Sequence, residues 1–234
     1  NDLLDLEEDR RHPDKRQRPL AAGTLPSAWA RIAIPLLLLA SLALGMLLPV
    51  SFLYSMLAYL TLAAAYTLLF RGLAVVDVLV LAVLFVLRIT AGAGAVSVPP
   101  SPWLLVFCLF LFLNLALLKR YTELRGLLAR GDQVSRVRGY SAQDLPLLKR
   151  FGFCSGLAAV LVLALYTTSD WVHTLYSRPV LLWLLCPLLV HMLVRLWQRA
   201  RRDELHEDPV VFVITDRPGQ LLAAVGVILL WLAS

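Results

Sequence analysis

Three aspartates at the start of the chain have a spacing that could hold a metal ion. In Asn1-Asp2-Leu3-Leu4-Asp5-Leu6-Glu7-Glu8-Asp9, the acids Asp2, Asp5 and Asp9 recur at steps of three and four residues. On a helix turning ~100° per residue they share a stripe about 60° wide, with Asn1 about 40° beyond it. Carboxylates on one helix face repel each other, and a cation between them removes the repulsion. Hard oxygen ligands suit Mg2+, which is held by one or two carboxylates together with the phosphates of a substrate. The spacing alone leaves a plainer alternative open, a solvated acidic helix end at a surface.

A basic stretch follows directly: His12-Pro13-Asp14-Lys15-Arg16-Gln17-Arg18-Pro19-Leu20-Ala21-Ala22-Gly23. Lys15, Arg16 and Arg18, in a proline-punctuated loop, could cradle a diphosphate whose metal the carboxylates hold. They could equally be the positive flank of a helix entering a membrane. A second polar group is Lys119-Arg120-Tyr121-Thr122-Glu123-Leu124. There Lys119 and Arg120 are candidate substrate ligands, and Glu123 stands at the spacing of an ordinary ion pair with Lys119. Tyr121 could orient a phosphate or anchor at a membrane interface. Arg88 lies within an apolar run, where a cation is costly and faces a cavity, a partner or the interface. Asp77 lies in the same run, eleven residues away, too far at about 16 Å of helix to pair with it. Asn114 and His191 read as packing contacts, and Cys108, Cys154 and Cys186 as small buried hydrophobes.

The elements that must position these groups are membrane helices. The 234 residues are 59% hydrophobic and 16% charged, against about 45–50% and about 25% in soluble domains. Long unbroken apolar runs exclude a β-barrel, and lipid gives the backbone no other way to satisfy its polar groups. The runs are 28–48, 51–70, 74–95, 102–118, 151–165, 180–197 and 219–232, which predicts an all-α, polytopic transmembrane bundle of seven helices. Seven crossings put the connections on alternating sides. Of the 22 Lys and Arg residues, all but Arg88 and Arg178 fall on the side of the N-terminal stretch, the break at Arg71-Gly72 and the connections 119–150 and 195–218. That imbalance predicts that this side is cytoplasmic. It also makes the net charge of +6 a signal of topology and of an anionic lipid surface, with no nucleic acid partner.

The first aspartate group with its RPL-x-x-G loop resembles the first signature of the UbiA superfamily of intramembrane prenyltransferases. The resemblance implies nine helices around a central cavity, Mg2+ and a diphosphate held at the cytoplasmic side by aspartate motifs, and a lipid tail between helices. The first signature closes the second helix of that fold. Residues 1–234 would then supply the third to ninth helices of an N-terminally truncated transferase domain in a bacterial inner membrane, preceded by further helices or a fused soluble domain. The second aspartate signature of the family is missing here. The KRY-x-E-L group at 119–124, the LRITAGAG run at 87–94 and Glu207-Asp208-Pro209 with Asp216-Arg217 instead resemble the decaprenyl-phosphate phosphoribosyltransferase branch. That branch implies a soluble donor, phosphoribosyl diphosphate, and a polyprenyl phosphate acceptor. Asp2 and Asp5 would be catalytic, Asp9 a further Mg2+ ligand, and Asn1, Lys15, Arg16, Arg18, Arg88, Lys119, Arg120, Tyr121 and Glu123 would contact substrate. Prenyl transfer from a prenyl diphosphate remains the alternative chemistry, and a transporter or structural membrane protein the alternative class.

Overall fold

The computed structural model describes residues 3, 5–11, 15–129, 139–205 and 209–234, with the backbone alone at 8, 9, 11, 15 and 171. Helices account for every regular element among them. The short α1 (Leu6–Arg11) precedes α2 (Ser27–Gly45), α3 (Val50–Ala65, continued by a π-helical turn Tyr66–Phe70), α4 (Val76–Ala95) and α5 (Pro102–Ala129). Next come α6 (Leu145–Thr167), the short α7 (Asp170–Leu175), α8 (Leu185–Arg201, led in by a 3-10 turn Pro179–Leu184), α9 (Pro209–Thr215) and α10 (Arg217–Ala233).

Six of these segments are each long and apolar enough to cross a bilayer. The seventh expected span, 219–232, falls within α10, which meets the length for a crossing only together with α9, and the two meet at 85° across Asp216. Pro218 in the first turn of α10 and the Asp216 cap explain the break: the cap carboxylate accepts from the Gly219 amide at 2.8 Å, so a new helix starts there. The α5 helix is longer than its apolar run. Its 28 residues reach about 42 Å, well past a hydrocarbon layer of about 30 Å, so Lys119 to Ala129 continue the helix beyond the apolar part.

α5 is the central helix, packed against α4, α6, α8 and α9. Close approach on α6 depends on Gly152, where a Cβ would lie 2.1 Å from the Trp197 ring of α8. Trp197, almost fully buried, also meets the rings of Tyr121 at 5.4 Å and Phe153 at 5.3 Å. Around it Val78, Leu118, Leu124, Leu148 and Leu196 form the main core, at the end of the bundle that carries the basic connections. At the opposite end, the Arg178 amide donates to the Ala233 carbonyl at 3.0 Å, and the Ser51 hydroxyl of α3 donates to the Gly94 carbonyl of α4 at 3.2 Å. An apolar cavity of about 490 Å³ opens in that half between α5, α6, α8 and α10, lined by Trp103, Phe107, Tyr166 and Gly226 among others. The perimeter is apolar, with Leu36, Leu37, Leu69, Leu157, Leu161 and Trp231 all exposed, as a bundle solvated by lipid requires. The cysteine expectation holds for Cys108, which is buried. Cys154 instead lies exposed on the outer face of α6.

Candidate active site

Two of the polar groups singled out in the sequence, Asp5 and Arg120, meet the segment from Tyr66 to Asp77, which joins α3 to α4. Asn1 and Asp2 lie outside the described residues, as do the side chains of Asp9 and Lys15. Asp5 is described: it is buried and ion-paired with Arg71 in the α3–α4 connection. The sequence reading treated Arg71 only as a break between helices. Arg16 is exposed, and Arg18 is half-buried with its carbonyl accepting from the Ala22 amide at 2.8 Å.

The same connection is pinned from the other side by α5. Arg120, only 3% exposed, donates from Nε to Asp77 Oδ2 at 2.6 Å and from Nη1 to Glu123 Oε2 at 2.5 Å, and its Nη2 reaches the Tyr66 hydroxyl at 3.3 Å. Arg120 is therefore committed to protein partners. These bonds, to Asp77, Glu123 and Tyr66, differ from the direct phosphate contact expected of it from the sequence. Glu123 pairs with Arg120, three residues away, and remains one-third exposed. Lys119 is half-buried at the same level. Tyr121 is no interface anchor: it is buried against Trp197, and its hydroxyl accepts from Arg125 at 3.2 Å.

Asp77 has a second partner that the sequence did not reveal. Tyr140, at the entry to α6, donates its hydroxyl to Asp77 Oδ1 at 2.7 Å and accepts the Val75 amide at 2.7 Å. Burial, with the Asp77 carboxylate beside it, pushes the Tyr140 phenol well above its usual pKa, so it stays a proton donor. Val75 occupies φ 68°, ψ −47°, and the Val76 amide donates to the Ala74 carbonyl across it at 2.8 Å. This is a γ-turn of the strained, positive-φ kind at a β-branched residue. Next to it Gly139, at φ 83°, sits so close that a Cβ would lie 2.5 Å from the Gly72 carbonyl oxygen.

Arg88 stands apart from this group. It is exposed on α4, with its guanidinium 5.6 Å from the Tyr59 ring centroid and Nη2 3.3 Å from the Tyr59 hydroxyl. Eleven residues of helix separate it from Asp77, about 16 Å along the axis. The structure thus ties Asp5, through Arg71, and Arg120 with Glu123, through Tyr66 and Asp77, to the α3–α4 connection, and leaves Arg88 on a different level.

Among the described residues no group of three or more His, Cys, Asp or Glu side chains forms a metal site. The donor chemistry of the opening stripe suits Mg2+; Asp5, its one described carboxylate, is buried and paired with Arg71, which a metal ion there would have to replace or share.

Comparison with known proteins agrees with the architecture and with the opening signature. The sequence model of the UbiA prenyltransferase family matches residues 1–217. The chain belongs to the UbiA prenyltransferase family. Among UbiA relatives, it is 36% identical over 227 residues to an uncharacterized protein, y4nM, of Sinorhizobium fredii, covering 96% of this chain and 44% of that one. It is 30% identical over 223 residues to the nodulation protein NoeC of Azorhizobium caulinodans, covering 92% and 70%. A shorter stretch of 125 residues is 38% identical to a protein named decaprenyl-phosphate phosphoribosyltransferase in Mycolicibacterium smegmatis, covering 53% of this chain and 39% of that protein. The chain thus spans less than half of the first and third of these relatives.

Proposed function

We propose that this UbiA-family chain is the membrane core of a Mg2+-dependent transferase that moves phosphoribose, or a related glycosyl group, from a soluble diphosphate donor to a polyprenyl phosphate. The observation that carries the reading is the junction at 66–77, where the opening acidic signature, through Asp5 and Arg71, meets the KRY-x-E-L end of α5, through Arg120 and Asp77. The likeness to proteins named decaprenyl-phosphate phosphoribosyltransferase supports this donor and acceptor. The charged end faces the cytoplasm of a bacterial inner membrane, where a soluble donor is available.

In this reading Asp2, Asp5 and Asp9 hold Mg2+ on the donor diphosphate. The bound metal supplies neutralisation of the charge that grows on the leaving group. Lys15, Arg16 and Arg18 add further positive charge to the leaving diphosphate. Lys119 faces the acceptor phosphate from α5, and Glu123, held by Arg120, sets the shape of that edge. The C1–O bond to diphosphate breaks and a C1–O bond to the acceptor phosphate forms, with diphosphate as the product. An acceptor phosphate is already an anionic nucleophile, so the step needs no strong general base. Prenyl transfer, the reaction in the family's name, uses the same carboxylates with the lipid as donor, and is the second reading.

The test is made on full-length protein in membranes with polyprenyl phosphate, Mg2+ and labelled phosphoribosyl diphosphate, beside a parallel reaction with labelled prenyl diphosphate. Label entering lipid from the sugar donor, and lost with EDTA or in Asp5→Ala, is the expected result. Label entering only from the prenyl donor would overturn the glycosyl reading in favour of prenyl transfer.

A further inference from the structure

A cleft of about 340 Å³ on the outer side of α8 belongs to none of the groups described above. His191, Val194, Arg195, Gln198, Arg199 and Arg202 line it. These positions recur at three- and four-residue steps and lie opposite the face of α8 that carries Leu189, Leu193, Leu196, Trp197 and Ala200 into the core. The cleft therefore opens outward from the bundle.

Its charges are only partly balanced. Arg195 forks onto Asp216 through Nη1 at 2.7 Å and Nη2 at 2.9 Å, fixing the start of α10. Arg199 pairs with the exposed Glu204 at 2.6 Å and stacks 6.0 Å from the Phe212 ring centroid of α9. Arg202 is exposed and has no acidic partner among the described residues. Among the described residues, three guanidinium groups thus meet two carboxylates.

α9 lies beside the polar end of the cleft, where Arg199 reaches the Phe212 ring. It meets α10 at 85°, and with α10 taken as a span α9 runs across the bundle axis. Its Val210, Val211 and Ile214 are exposed as one apolar stripe, as in a helix resting in the headgroup region. His191 and Val194 continue the cleft down towards the apolar perimeter, while Arg199 and Arg202 stand at its polar end. We infer that this cleft binds the phosphate headgroup of an acidic bilayer phospholipid. The arginines engage the phosphate, and the acyl chains run down the outer surface of α8. Net positive charge, headgroup depth and an apolar continuation suit an amphiphile with an anionic head.

The experiment uses full-length protein reconstituted into nanodiscs of phosphatidylcholine with a minor share of phosphatidylglycerol. The acidic lipid retained by the protein after detergent extraction is then measured by mass spectrometry. No turnover is involved, so the result is independent of the donor and acceptor proposed above. Arg199→Gln with Arg202→Gln is expected to lower phosphatidylglycerol retention by about fivefold for each arginine removed. Arg201→Gln, on the same helix but outside the cleft, is the control and is expected to retain it. Equal retention in the double variant and the wild type would overturn the site. So would an equal loss in Arg201→Gln, which would mean a diffuse basic surface. Displacement of the lipid by inorganic phosphate at millimolar concentration would reassign the cleft to a soluble anion.

Discussion

Asp77 and Arg120 are 43 residues apart in sequence and 2.6 Å apart in space, and both are buried. The pair ties the first turn of α4 to the far end of α5, and Tyr140 closes it from a third element. A buried ion pair gains little over an apolar replacement, but removing one partner leaves a charge stranded. Asp77→Asn or Arg120→Gln is therefore expected to cost about 3–5 kcal/mol, read as a fall in thermal unfolding temperature in detergent. Asp77→Leu combined with Arg120→Met should recover much of that loss. If the single variants unfold like the wild type, the network has no structural role.

Tyr140→Phe removes one bond to a carboxylate and leaves the Val75 amide without its acceptor. The expected cost is about 1–3 kcal/mol. Val75→Gly acts on the same turn in the opposite direction, because glycine adopts positive φ without steric penalty. It should stabilise the protein by about 1 kcal/mol, the low end of what a strained backbone residue costs. Thermal unfolding of the two variants beside the wild type checks both signs.

Asp5→Asn is expected to abolish transfer while leaving the fold intact, since its Arg71 partner stays one-fifth exposed and can be solvated. EDTA should match the effect in the wild type and add nothing to the variant. Full transfer by Asp5→Asn would remove the opening signature from the chemistry.

Gly152→Ala drives a methyl group into the Trp197 ring. Overpacking of this kind costs about 1–3 kcal/mol. The ring is among the most buried in the protein, so its displacement should shift the tryptophan emission as well as the unfolding temperature. Trp197→Phe in the same chain should relieve the clash.

Asp216 gives a pH dependence with a definite sign. Burial pushes its carboxyl up, but the Gly219 amide and the Arg195 guanidinium outweigh that, and its pKa lies below the ordinary 3.8. A depressed carboxyl contributes stability that is complete above its unfolded pKa and is lost as pH falls through the folded one. The gap in stability between wild type and Asp216→Asn should therefore be constant from neutral pH down to about 5, and close only below 3.8. A gap that closes between pH 7 and 5 would refute the assignment.

The helices were legible because lipid enforces them: unbroken apolar runs and lopsided loop charges located the spans from 28 to 232, except that α5 runs on to Ala129, α6 starts six residues before 151 and α8 runs on to Arg201. The α5 extension was hidden because Lys119 to Ala129 is polar enough to read as a loop, although its helix formers continue the same rod. The bend at Asp216 was visible only as a capping aspartate before Pro218. At the site, Asp5 and the KRY-x-E-L group were found by residue type and spacing. The pairing of Asp77 was not, because a partner on another helix leaves no mark at helical spacing. Tyr140 was missed for the same reason. A usable signal was present, since an aspartate at the mouth of an apolar helix and an arginine at the end of another each need a counter-charge.

The single helix α5 belongs to both halves of the bundle. It carries Trp103 and Phe107, which wall the apolar cavity, and Arg120 and Glu123 at the charged end, with no proline after its first residue. A straight helix without proline inside it transmits a tilt rather than absorbing it. One unbroken backbone therefore carries both the wall of the apolar cavity in one half of the bundle and the charged edge in the other.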